Sequence, residues 1–202
     1  MNGVKVKLSA KEFDLMIQAD FILTKNSVIH KVNELFANLY TAYKSVLEEK
    51  HDLPKYLQNS SFKIAKGEQY LALPWVMMDY PKLFSGKDVF AIRSFFWWGN
   101  CFSITLHISG TYFQKGVFIA ERLLEKDTDW LFCVHQHQWH HYFEANNYQP
   151  LQAHHLANIS ERSFIKLAKK IPLQEWDNAV LFFEQSFKEL IAVMPPNDEI
   201  VL

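Results

Sequence analysis

The sequence predicts one α+β domain over residues 1–202, an antiparallel, meander-like sheet of about five strands packed with N-terminal and C-terminal helices. Three observations carry that expectation. Helical periodicity dominates the two ends of the chain, period-two alternation lies in the middle, and no strand–helix–strand alternation marks a parallel sheet. With 202 residues, 49% of them hydrophobic and only 6 glycines, the chain is long enough to bury a sizeable core.

Ser9 and Glu12 have capping-box spacing, and Phe13, Ile17 and Phe21 follow at helical intervals, which predicts a first helix over Ser9 to Leu23. A second helix begins near Asn26 or Ser27, with the stripe Val28, Val32, Leu35, Leu39, Tyr43 and Val46. His51 to Ser61 reads as a connector. Phe62 to Lys66 and Gln69 to Met78 read as strands joined by a tight turn at Gly67 and Glu68. Pro74 cannot donate to a ladder, so it places the second strand at an edge or a bulge. Asp79 to Asp88, with Pro81, Ser85 and Gly86, reads as a turn region.

Phe90 to Trp98 and Phe102 to Ser109 form the clearest strand pair, joined through Gly99, Asn100 and Cys101. In the second strand Phe102, Ile104, Leu106 and Ile108 alternate with Ser103, Thr105, His107 and Ser109, which predicts one buried face and one polar face. Thr111 is positioned to cap a helix over Tyr112 to Lys126, weakened at Gly116. Trp130 to His135 is a fifth strand, and Tyr142 to Leu156 a long surface loop. Ser160 is read as the cap of a helix reaching Lys170. The last helix carries Trp176, Val180, Phe183, Phe187, Leu190 and Met194 and stops at Pro195–Pro196.

Composition excludes some partners. Lys+Arg 21 against Asp+Glu 22 leaves a net charge of -1 with no basic stretch, so nucleic acid is not an expected partner. No apolar run approaches a membrane span, Met1 to Ala10 lacks a signal-peptide core, and Cys101 and Cys133 form no disulfide framework. The expectation is a soluble, cytoplasmic, bacterial-type protein without a membrane partner. Aromatic residues make up 15% of the chain, which points first to a tightly packed core and then to an aromatic pocket or subunit interface.

Two places suit chemistry. Six of the nine histidines fall between His135 and His155, namely His135, His137, His140, His141, His154 and His155, with Glu144 among them. On an extended strand His135 and His137 share a face about 7 Å apart. His141, Glu144 or His107 is then available as a third ligand for zinc or iron, in a metal-dependent hydrolase or oxygenase. Against this, Gln136 and Gln138 interleave with the histidines as in a strand running out into solvent. If the segment is instead helical from Trp139, His137 and His141, and His140 and Glu144, fall at i, i+4. His154 and His155 are expected in solvent, and no cofactor is the default expectation.

The second place is Arg93 with Trp97, Trp98, Asn100 and His107. Arg93 shares a strand face with Phe95 and Trp97, so its guanidinium reaches water, stacks on a ring or pairs with a carboxylate such as Asp79. Such a polar pair on an aromatic face resembles a small anionic-ligand pocket. The plainer and favoured alternative puts Arg93 and His107 on the sheet's solvent face. No Ser or Cys has nucleophile context, and Glu48–Glu49, Asp127 with Asp129, and Asp198–Glu199 look like solvated carboxylates. The leading expectation is therefore a non-catalytic module whose aromatic sheet face binds a small molecule or a protein partner, a second copy of the chain included. The alternatives are the metal-dependent enzyme and a structural subunit of a homo- or hetero-oligomer.

Overall fold

A computed structural model describes residues 6–126 and 128–196. It is α+β, with helices at both ends and a seven-stranded antiparallel sheet between them. The helices are α1 (Ala10–Met16), α2 (Ala19–Glu49), α3 (Lys55–Gln58), α4 (Phe113–Glu125), α5 (Ala153–Ala157) and α6 (Ala179–Ala192). The strands are β1 (Ser61–Tyr70), β2 (Leu73–Ser85), β3 (Asp88–Trp97), β4 (Cys101–Ser109), β5 (Leu131–Cys133), β6 (Tyr148–Pro150) and β7 (Phe164–Pro172). Spatial order is β1-β2-β3-β4-β7-β5-β6. The first four strands are a meander, and β7 is inserted between β4 and the short β5–β6 pair.

One face of the sheet carries the helices. Val76 and Met78 of β2, Ile92 and Phe96 of β3, Phe102, Ile104 and Leu106 of β4, and Ile165 and Leu167 of β7 are buried there with α2, α4 and α6. The two long helices meet over the centre, where Tyr43 stacks on Phe187 at 3.8 Å and Phe36 meets Phe183 edge-on at 5.6 Å. Gly116 of α4 permits a close approach, since a Cβ there would sit 3.1 Å from Ile165. No described helix is long and apolar enough to cross a membrane.

Several boundaries differ from the sequence reading. The Ser9–Glu12 capping box is present, but the helix breaks at Ile17 and Gln18, and a single 31-residue α2 starts at Ala19 instead of near Asn26. The connector His51 to Ser61 contains α3. Gly67 and Glu68 lie inside β1, and the hairpin turns at Leu71 and Ala72, both at positive φ (47° and 63°). β2 is an interior strand, with Pro74 next to the irregularity between Gly67 and Tyr70 in its pairing with β1. The region read as a turn, Asp79 to Asp88, is mostly strand, with a register shift between Asp79 and Lys82 and the turn itself at Gly86. The fifth strand shrinks to Leu131–Cys133, and the loop Tyr142 to Leu156 holds β6 and most of α5.

The largest difference is Ser160 to Lys170. Lys, Ala and Leu favour helix locally, yet Phe164–Pro172 is β7, flanked by β4 and β5 with Phe164 through Lys169 buried. Burial on both faces overrides weak helical propensity. β4 differs for the same reason: all nine of its residues are buried, so its polar face does not meet solvent.

The Tyr43 hydroxyl donates to the Phe183 carbonyl at 3.2 Å, which leaves the Ser94 hydroxyl to donate to Tyr43 across 3.1 Å. Tyr43→Phe strands both groups in the core. It should lower the unfolding free energy measured in urea by about 1–3 kcal/mol. Adding Ser94→Ala should recover part of that loss.

Candidate functional site

The second face of the sheet is covered by no helix. Residues 134–147 run across it as irregular chain, and beneath them lie Asp79, Arg93, Thr105, His107 and Lys166, each less than 9% exposed. Pairing of β2 with β3 sets Asp79 opposite Arg93, Met77 opposite Phe95 and Trp75 opposite Trp97. That register builds an aromatic face around one ion pair.

Arg93 Nε donates to Asp79 Oδ1 at 2.7 Å and Nη2 to Oδ2 at 2.9 Å, a two-point pairing that fixes the guanidinium plane. Nη1 lies 2.9 Å from His141 Nε2. A guanidinium only donates, so Nε2 accepts and the His141 proton sits on Nδ1. The backbone N–H of His141 donates to the Tyr70 hydroxyl at 2.6 Å, which anchors the loop at the same point. Burial first, then Lys166 and Arg93, hold His141 well below the ordinary imidazole range.

His107 is paired through Nε2 to Gln138 Oε1 at 2.9 Å and meets Trp139 edge-on at 5.0 Å. Burial, aided by Lys166, pushes it down to about 3. Lys166 is fully buried and donates to the His140 carbonyl at 2.5 Å, with no carboxylate partner among the described residues. Burial lowers it to about 8. The ion pair and Lys166 together leave one positive charge in excess beneath the loop at neutral pH.

Above Arg93 and His141 opens a cleft of about 470 Å³, walled by Tyr70, Trp75, Phe95 and Trp139, with Gln69 and Met77 completing it. Gly67 makes the Trp75 wall: a Cβ at that position would lie 2.8 Å from the indole. The ring therefore rests where any other residue of β1 would displace it.

Of the ligand candidates from the sequence, Arg93 lines the cleft. Trp97 is beside it, its ring 5.2 Å from Tyr70, and His107 is next to the Trp139 wall. Trp98 packs toward the helical face against Phe96, and Asn100 is exposed in the β3–β4 turn, donating to the Trp98 carbonyl. Arg93 and His107, favoured as solvent-face residues, are instead 7% and 3% exposed. The anticipated Arg93–Asp79 pair is present. Tyr70, Trp75 and Trp139 were missed; Trp75 shares a strand face with Asp79, a period-two signal that the register turns into proximity.

The histidine segment is neither strand nor helix. His135, His137 and His140 bring their rings to 4.5–6.2 Å between centroids, and His135 Nδ1 accepts the His137 N–H. His141 turns inward to Arg93, and Glu144 is exposed, its carbonyl accepting from Asn147 and Tyr148. The proposed set His135, His137, His141 and Glu144 is thus divided between two places. Among the described residues no group of three His, Cys, Asp or Glu is arranged to hold a metal ion. His154 is exposed, while His155 is half-buried and stacks on Phe132 at 5.1 Å. Asp127, Asp198 and Glu199 lie outside the described residues.

A second cavity, of about 510 Å³, includes Arg162, Phe132, Phe164 and His155. Arg162 Nη2 donates to the carbonyls of Cys133 and His135, at 2.9 Å each, and its guanidinium lies over both phenylalanine rings. Those bonds clamp the exit of β5 to the start of β7. The cleft over Arg93 has no such structural duty on its open side.

No family model matches the chain, and neither does any curated protein or solved structure.

Two outcomes follow from the buried charges. Asp79→Ala leaves Arg93 buried beside a neutral imidazole and should destabilise the fold by about 3–5 kcal/mol in denaturant titration. Asp79→Leu combined with Arg93→Met should cost less than Asp79→Ala alone. His107 and His141 are neutral in the fold at pH values where the unfolded chain takes up protons, so stability is fully present above about 6.5 and declines as pH falls toward 3. The urea midpoint should therefore drop as pH is lowered from 7 to 5, and His107→Gln should flatten that slope.

Proposed function

We propose that this protein binds a small planar aromatic acid in the cleft over Arg93 and His141. The observation that carries the reading is a concave site of about 470 Å³ with four aromatic walls and a polar floor. Ligand pockets combine mostly apolar walls with a few fixed polar groups in this way. Asp79 and His141 occupy three of the guanidinium's five N–H groups, leaving hydrogens on Nη1 and Nη2 for a ligand oxygen. Lys166 supplies the uncompensated charge behind them. Trp75, Trp139 and Tyr70 offer faces and edges to a flat body.

The lining of the cleft supports binding and supplies no nucleophile context for a reaction. No serine, threonine or cysteine lines the cleft, the Tyr70 hydroxyl is held by the His141 backbone N–H, and Lys166 is not among the lining residues. A metal-dependent hydrolase or oxygenase is the competing reading, favoured only by the proximity of His135, His137 and His140.

Titration with 2-naphthoate, read by tryptophan fluorescence, tests the proposal. Saturable quenching is expected, with 2-naphthamide binding at least tenfold more weakly because it lacks the charge. Trp139→Ala, at a half-exposed position, should weaken binding by about tenfold while leaving the fold intact, and EDTA should change nothing. Equal affinity for acid and amide, or binding lost with EDTA, would remove this reading.

A further inference from the structure

α1 and the first turns of α2 form an arm that buries none of its side chains among the described residues. α1 contains no buried residue, and burial in α2 begins only at Ile29. Between Val6 and Leu23, nine large apolar side chains are 44–90% exposed: Val6, Leu8, Phe13, Leu15, Met16, Ile17, Phe21, Ile22 and Leu23. The arm is nevertheless well built. Ser9 and Glu12 close a capping box at 2.7 Å and 3.2 Å, and Lys25 ties its base to Glu68 of β1 at 2.7 Å.

We infer that the arm is the interface of a homodimer, in which α1 and the first turns of α2 pack against the same elements of a second copy. Side chains of this size present on the order of 100 Å² each, so those a partner copy would cover, together with their polar neighbours, are enough for the roughly 800 Å² per partner of a standard stable interface. So much exposed apolar surface in one short segment is unusual for a monomer. Charge selects the occupant. Across residues 6–27, Lys7, Lys11 and Lys25 face Glu12, Asp14 and Asp20, which sums to zero. A helix that binds an anionic lipid surface carries a basic polar face. A balanced arm meets a copy of itself without net repulsion, as a two-fold, self-complementary contact requires.

Sedimentation equilibrium at micromolar concentration tests this. The 23.8 kDa chain should run at twice its mass. The triple variant Phe13→Ser, Met16→Ser, Phe21→Ser should run at its single mass with the near-UV circular dichroism of the folded sheet retained, since none of the three side chains enters the core. If the triple variant loses that spectrum, Met16→Glu alone carries the comparison. A wild-type protein of single mass overturns the inference, as does a folded variant that remains dimeric. Single-mass wild type that floats with phosphatidylglycerol vesicles reassigns the arm to lipid.

Discussion

The strand at the centre of the sheet is buried on both sides, and most of the architecture answers that constraint. All nine residues of β4 are inaccessible, which requires a layer on each face. Helices supply one layer and satisfy their own backbone. On the other face the cover is irregular chain, whose peptide groups must find partners elsewhere. The buried polar side chains beneath it provide them. Lys166 holds the His140 carbonyl, Tyr70 accepts from the His141 N–H, Asn147 holds the Tyr142 carbonyl, and Arg162 holds Cys133 and His135. The residues that look like a reactive cluster are first of all the fastenings of a loop.

The same fastenings give the cleft its character. The backbone N–H of His141 closes the loop against Tyr70 while its imidazole takes an N–H of Arg93, so the floor of the cleft and the attachment of the loop share one residue. Protonating that ring would set a cation against a guanidinium and convert an acceptor into a donor. The bond between the imidazole and Arg93 therefore depends on the ring staying neutral, which its burial favours.

The α+β class was legible because the helical stripes and the alternation of Phe102 to Ser109 are strong local signals. The Arg93–Asp79 pair was legible only as one of three fates for a guanidinium on an aromatic strand face, because Asp79 reads as the start of a turn region and only the register of β2 on β3 sets it opposite Arg93. What local pattern could not show was β7. Phe164 to Lys170 has the composition of a helix, and only its insertion between β4 and β5, a contact distant in sequence, makes it a strand. Without β7 and the loop over it, the polar side of β4 reads as solvent-facing, and Arg93 and His107 with it. The histidines were conspicuous for number, whereas their placement depends on a loop of no period, which sends His141 inward and leaves His137 outside. Trp139 and Tyr70 carried no signal beyond being aromatic, and Trp75 only its period-two spacing with Asp79, because their meeting depends on register and on that loop.

Gly67 bears on this in a further way. The Trp75 indole occupies the space that a side chain on β1 would fill, so the width of the cleft is set across a strand pairing by a missing methyl group. On the proposed binding role, selectivity for a flat guest is then set at a position that does not line the cleft. Variation at Gly67 would retune the opening while every contacting residue stayed the same.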